Sequence, residues 1–193
     1  MKALPVSFVA AGLLAATAVS AEPDYRSEYV GQETRAIKTL SAEDVDELRR
    51  GAGWGFAKAA ELNGVPGPLH VLQMDAEIGL TGEQRKAVQA LHESMKASAV
   101  PLGKELVALE ARLNERFADG TIDRAGLEEL LVEIGRVRSQ LRMVHLEKHL
   151  ETADVLTDRQ VAKYNRLRGY GSDPCESVPA GHDPEMWRRH NGC

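Results

Sequence analysis

Leu80-Thr81-Gly82-Glu83-Gln84 and Leu156-Thr157-Asp158-Arg159-Gln160 spell the pattern Leu-Thr-x-x-Gln twice, and the stretch they bracket decides the fold. In each copy the threonine suits a helix N-cap, its hydroxyl accepting an orphan N–H of the first turn. The glutamine three residues on can reach back to the cap N–H. Leu80, Thr81 and Gln84, and then Leu156, Thr157 and Gln160, therefore mark two helix starts after tight turns. Between them Val88, Leu91, Met95, Ala99, Leu102, Leu106, Leu109, Leu113 and Phe117 recur at spacings of three and four, which predicts one apolar helical stripe. Asp119-Gly120-Thr121 ends that helix, with Gly120 suited to a left-handed C-terminal position, and Asp123 can cap the next. There Leu127, Leu131, Ile134, Val137, Leu141 and Val144 form a matching stripe. The first helix should run about 36 residues, roughly 54 Å. Each buried Leu, Ile or Met adds about 1.5–3 kcal/mol, so the stripes can offset the entropy of ordering the hairpin. The expected fold class is all-α: a long antiparallel helical hairpin with short flanking helices.

A second row, Met143, Leu146, Leu150 and Ala153, lies beside the stripe late in the second helix. One helix face can meet only one partner helix, so this row is expected to face the short helices, a second copy or a bound client. A homodimer is the first expectation and a client groove the functional alternative.

Outside the hairpin the chain divides as 1–21, 22–66, 67–170 and 171–193. Residues 1–21 carry Lys2 as their single charge, then an apolar run and Val19-Ser20-Ala21. That is the pattern of an export signal cleaved between Ala21 and Glu22, and the run is too short for a membrane span. Segment 22–66 is an N-terminal extension with short helices. Ser41-Ala42-Glu43-Asp44 reads as a capping box, the helix it starts ends at Gly51, and Trp54 to Leu62 can add a turn or two. Pro66-Gly67-Pro68 forces a bend, and Leu69 to Leu80 suggests one short amphipathic helix ended by Gly79. Asp158 to Arg168 is a last short helix, followed by a Gly-, Pro- and Asp-rich tail holding both cysteines.

The chain has 27% charged and only 5% aromatic residues, a balance that suits solvated helices better than a thick β core. Loss of residues 1–21 removes Lys2 and leaves 23 basic against 29 acidic residues, a net charge of −6. Nucleic acid and anionic membranes are poor partners for that charge. No segment after the signal could cross a membrane.

Chemistry concentrates at His145-Leu146-Glu147-Lys148-His149. Two histidines at i and i+4 share a helix face at a spacing one metal ion can bridge. With the turn near Gly120, a residue i faces about 241 − i across the hairpin, which sets His149 opposite His92. His92, His145 and His149 would then converge, with Glu93 or Glu147 as an oxygen ligand. Such donors suit zinc, nickel, cobalt or copper. The plainer reading leaves these histidines at the border of core and solvent, hydrogen-bonded to a carboxylate or carbonyl. In the tail, Cys175 and Cys193 can form a disulfide in an oxidising compartment, worth about 3 kcal/mol if the tail is ordered. With His182 and His190 they could instead hold zinc or copper, though export favours the disulfide. No activated nucleophile, Gly-rich phosphate loop or His-Glu-x-x-His sequence is present, so an enzyme is not expected and no cofactor is required.

The paired Leu-Thr-x-x-Gln motifs at 80–84 and 156–160, the hairpin between them and the export signal resemble the Spy/CpxP, or LTxxQ, family of periplasmic proteins. The resemblance covers roughly residues 67–170. It implies four helices paired into a curved antiparallel homodimer. It implies binding rather than catalysis: some members cradle unfolded clients, some regulate envelope stress, and a branch handles zinc, nickel, cobalt or copper. The stretch Ala59-Ala60-Glu61-Leu62-Asn63-Gly64 to Pro66-Gly67-Pro68 is similar to the metal-resistance branch. Two departures stand out. Chaperone members tend to present a basic face, whereas basic residues on the first long helix here alternate with Glu83, Glu93, Glu105, Glu110 and Glu115. The N-terminal histidine cluster of the sensor branch has no counterpart before His70. The function expected is therefore an exported, non-enzymatic stress protein binding unfolded or envelope proteins. The alternative is a periplasmic heavy-metal sensor or resistance protein.

Overall fold

The computed structural model describes residues 25–171, 178 and 180–191. The proposed signal at 1–21 lies outside them, and so do Cys175 and Cys193, so neither the cleavage nor the tail disulfide is within the described residues. The chain divides into two units, 1–30 and 31–193. Of the first, residues 25–30 form a turn in which the Val30 amide donates to the Ser27 carbonyl at 3.3 Å.

Among the described residues the second unit holds a 3-10 turn at Gln32–Thr34, eight α-helices and no strand. They are α1 (Ala42–Arg49), α2 (Lys58–Glu61), α3 (Pro68–Gln73), α4 (Asp75–Ile78), α5 (Gly82–Ala118), α6 (Arg124–Val155), α7 (Asp158–Leu167) and α8 (Pro184–Asn191). The long hairpin is α5 and α6. α5 has 37 residues and runs through Pro101, a proline on the exposed side of the helix where the loss of one backbone bond leaves a carbonyl to water. Gly120 turns the chain at φ 65°, and Asp123 caps α6 by accepting from the Gly126 amide at 2.8 Å. The Glu105–Arg136 ion pair, at 2.7 Å, falls on the expected hairpin register.

Both Leu-Thr-x-x-Gln motifs form full capping boxes. They also bond to each other. Gln84 Nε2 donates to Gln160 Oε1, and Gln160 Nε2 donates to Gln84 Oε1, both at 2.9 Å. Each amide nitrogen also donates to a carbonyl at the foot of the hairpin: Gln84 to Val155 at 3.0 Å, Gln160 to Gly79 at 3.2 Å. The motif thus locks the start of α5 to the start of α7, beyond fixing where each begins.

Two apolar cores follow. In the first, α1 packs on the middle of the hairpin, and Leu48, Ala99, Leu106, Val137 and Leu141 are buried together. Gly103 allows the close approach: a Cβ there would lie 1.9 Å from the Leu48 carbonyl oxygen. In the second, α3, α4 and α7 close over the hairpin foot around Val71, Ile78, Val88, Leu156 and Tyr164. Tyr164 is fully buried. Its hydroxyl donates to Glu61 at 2.7 Å, and Glu61 also accepts from Arg168 at 2.8 Å. Burial, then the Glu61 bond, raises the Tyr164 pKa. Burial opposes ionisation of Glu61, but Tyr164 and Arg168 outweigh it and hold the carboxylate below its usual range.

The expectations differ from the structure at particular places. Phe117 and Leu131, core positions by periodicity, are 58% and 49% exposed, because the hairpin outruns the short helices that cover it; Leu130 takes the inward position. The amphipathic segment before α5 is two short helices broken at Met74 (φ −107°, ψ 21°) rather than one. Helix after Trp54 is confined to α2, since Gly51-Ala52-Gly53-Trp54-Gly55 folds as a loop with positive φ at Gly51, Trp54 and Gly55.

Candidate functional site

The apolar contacts along the hairpin are interrupted. Val88 belongs to the lower core and Ala99 to the upper, while His92 and Met95 lie between them on α5. On α6, His145 and His149 fill the corresponding interval. Both are buried, at 2% and 7% exposure. A cavity of about 500 Å³ opens at this level, and His92, Met95, His145 and His149 line it together. The loop from Gly51 to Gly55 and the bend from Gly67 to His70 complete its wall.

His149 is held by its Nδ1, 2.8 Å from the Val65 carbonyl oxygen. A carbonyl only accepts, so Nδ1 carries the proton, and in the neutral ring Nε2 keeps a free lone pair. Gly67 packs against that side, since a Cβ there would lie 2.5 Å from His149 Nε2. The His145 ring stacks on Phe56 with centroids 5.9 Å apart and planes inclined by 16°. Its Nε2 is buried and has no hydrogen-bond partner among the described residues. Burial drives the His145 pKa down to about 4, and His149 beside it adds to the effect. At neutral pH the ring is uncharged, the form that ligates a metal. The His92 pKa is also lowered, by burial and by Lys96, with Glu93 opposing.

The loop over the cavity is fixed by its aromatic residue. Trp54 adopts φ 39°, a left-handed conformation that few side chains tolerate. Its Nε1 donates to Asp44 at 2.7 Å, Arg138 lies 5.0 Å over its ring, and Phe56 meets it edge-on at 5.3 Å. The Trp54–Phe56–His145 series links the loop to the buried imidazole.

The structure brings His92, His145 and His149 to one cavity. Glu93 and Glu147 are not among its lining residues. Neighbouring positions on a helix point about 100° apart, so Glu93, next to His92, turns away and accepts from Gln89 at 3.0 Å. Glu147 is exposed, two positions on from His145. Among the described residues no group of three or more His, Cys, Asp or Glu is disposed to hold a metal ion. What exists is a buried imidazole pair with a third imidazole and a thioether in the same wall. Arg50, Lys58 and Lys96 also line the cavity and oppose a cation, while Glu47 and Glu61 partly offset them. Sequence reasoning missed His70, whose Nδ1 lies 2.9 Å from Gln73 Oε1, and the loop from Gly51 to Phe56. The signal for the loop was its three glycines in five residues.

The tail histidines lie apart from this chemistry in sequence. His182 meets Trp187 edge-on at 4.7 Å, and His190 lies on α8.

The family model described as heavy-metal resistance matches residues 51–163, from the loop over the cavity into α7. No curated protein and no solved structure matches the chain.

Proposed function

The chain belongs to the heavy-metal resistance family, within the Spy/CpxP-like periplasmic group, and from that premise we propose that it binds a divalent metal at the imidazole cavity. His145 and His149 would supply their Nε2 atoms and His92 a third nitrogen. The ion would be zinc, nickel, cobalt or copper, since nitrogen donors with a thioether nearby suit these and not magnesium or calcium. The observation that carries the reading is the His145 imidazole, buried and neutral, its Nε2 without a hydrogen-bond partner among the described residues. A buried polar atom without a partner costs about 1–3 kcal/mol, and a metal bond would recover it. The bond from His149 Nδ1 to the Val65 carbonyl supports the same reading, because ligating histidines characteristically donate their other N–H to such an acceptor. Closing the ligand shell requires His92 or the Gly67 bend to move inward. The protein would act after export and removal of residues 1–21, by binding and without catalysis. Calorimetric titration of residues 22–193 with zinc and with copper tests this. His145→Ala/His149→Ala should weaken binding at least about a hundredfold; binding unchanged in that variant overturns the proposal.

A second reading has its own observation. On α6, Met143 and Leu150 are 65% and 62% exposed, with Leu146 and Ala153 half-buried in the same row. Such a row suits either a second copy of the chain or an unfolded client of the envelope, the binding expected of a chaperone or stress accessory.

A further inference from the structure

A second cavity, of about 470 Å³, lies where the two Leu-Thr-x-x-Gln motifs meet. Its charged lining residues are Arg159, Lys163 and Arg166, all from α7, and no acidic side chain lines it. This inverts the acidic balance of the whole chain. Several basic residues elsewhere are matched: Arg50 pairs with Asp46, Arg136 with Glu105, Lys148 with Glu151 and Arg168 with Glu61. Arg85, at the start of α5, takes the nearby Asp75 carboxylate. Arg159, Lys163 and Arg166 have no ion pair among the described residues.

Their placement is costly for the helix. Arg159 and Lys163 are four apart and Lys163 and Arg166 three apart, so like charges face each other on one surface of α7. Arg159 also sits in the first turn, at the positive end of the helix dipole. The acceptors of the wall are already used. Gln84 Oε1 and Gln160 Oε1 accept from each other's amide and from their cap N–H groups, and each threonine hydroxyl oxygen accepts the amide of its own motif. The glutamine Nε2 donors are spent on each other and on the Val155 and Gly79 carbonyls, and the Thr157 hydroxyl donates to Gln160 Oε1, so the groups left to meet a ligand are the three cations.

We infer that this cavity binds a small multivalent oxyanion across Arg159, Lys163 and Arg166. The three residues span about 10 Å of helix, seven residues at 1.5 Å each, so the ligand carries more than one oxyanion group. The shared chemistry fits an oligophosphate or a polycarboxylate. Bound oxyanion would neutralise the repulsion within α7 and meet the N-termini of α5 and α7 with charge of the favourable sign.

The test is calorimetric titration of the full exported chain with tripolyphosphate and, separately, with citrate, at low and moderate salt. Binding of either anion is expected, weaker at higher salt, and the stronger of the two identifies the source. Arg159→Gln/Lys163→Gln/Arg166→Gln should weaken it at least tenfold, and Lys104→Gln/Arg116→Gln, which removes charge elsewhere, should leave it unchanged. No heat with either anion overturns the inference, as does an equal loss in both variants. A separate readout does not depend on ligand: without anion, the triple variant should melt at a higher temperature than the parent, since it relieves like-charge repulsion. A lower melting temperature overturns the frustration on which the site rests.

Discussion

At the scale of single residues, His145 is the most informative side chain. Its spacing from His149 was legible, because i and i+4 on a helix must share a face. Its burial was not, since the apolar pattern ran past it on both sides and gave no sign that an imidazole would replace an aliphatic group. The burial has a consequence for stability. The unfolded ring takes up its proton near pH 6.5, whereas the folded ring holds off until about 4. Between those values the unfolded chain binds the extra proton. The contribution is therefore complete above about pH 6.5 and lost as pH falls toward 4, by up to about 3 kcal/mol. Asp44, its pKa lowered by its bonds to Ser41 and Trp54, and Glu61 act at more acid pH. His145→Phe keeps a ring against Phe56 and removes the titration. Denaturant midpoints followed from pH 7 to 4.5 should fall more steeply for the parent than for the variant, in which His92, its pKa also lowered, still titrates. Parallel curves would contradict the burial.

At the scale of elements, the hairpin was readable because 3.6-residue periodicity over more than thirty residues leaves little alternative, and because Asp119-Gly120 and Asp123 state where the chain turns. The motif-to-motif clasp was not readable. Capping explains each Gln locally, so nothing in either copy announces that Gln84 and Gln160 hydrogen-bond to each other across 76 positions. Phe117 and Leu131 show the opposite failure: periodicity gives a face but not the length over which something covers it. The outer row of α6 has the same character. If a second copy covers it, Met143→Glu/Leu150→Glu should convert a dimer to a monomer in light scattering while helicity by circular dichroism stays constant. A parent chain that is already monomeric contradicts the dimer. A monomer that suppresses aggregation of a denatured client, and loses this in the variant, assigns the row to clients.

At the scale of the whole molecule, two apolar cores hold the hairpin at its middle and its foot, and the imidazole cavity occupies the interval between them. In the sequence the interval lies between Val88 and Ala99, where Leu91 and Met95 continue the apolar stripe and His92 stands at its edge, opposite the interval holding His145 and His149. Reading it needed the hairpin register as well as the periodicity, and the Gly-rich loop with Trp54 that walls the cavity leads into a stretch whose helix is the short α2 alone. The match to the heavy-metal resistance family spans both the cavity and its loop, so the site lies within the part of the chain that defines the family. The central claim is that His145 and His149 present Nε2 to a metal ion. Nitrogen-15 NMR of the histidine side chains at pH 7, recorded before and after one equivalent of zinc, tests it most directly. The account predicts a neutral His145 and an Nδ1-protonated His149 without metal, and displacement of both Nε2 resonances on zinc addition. Resonances of His145 and His149 that do not move would contradict it.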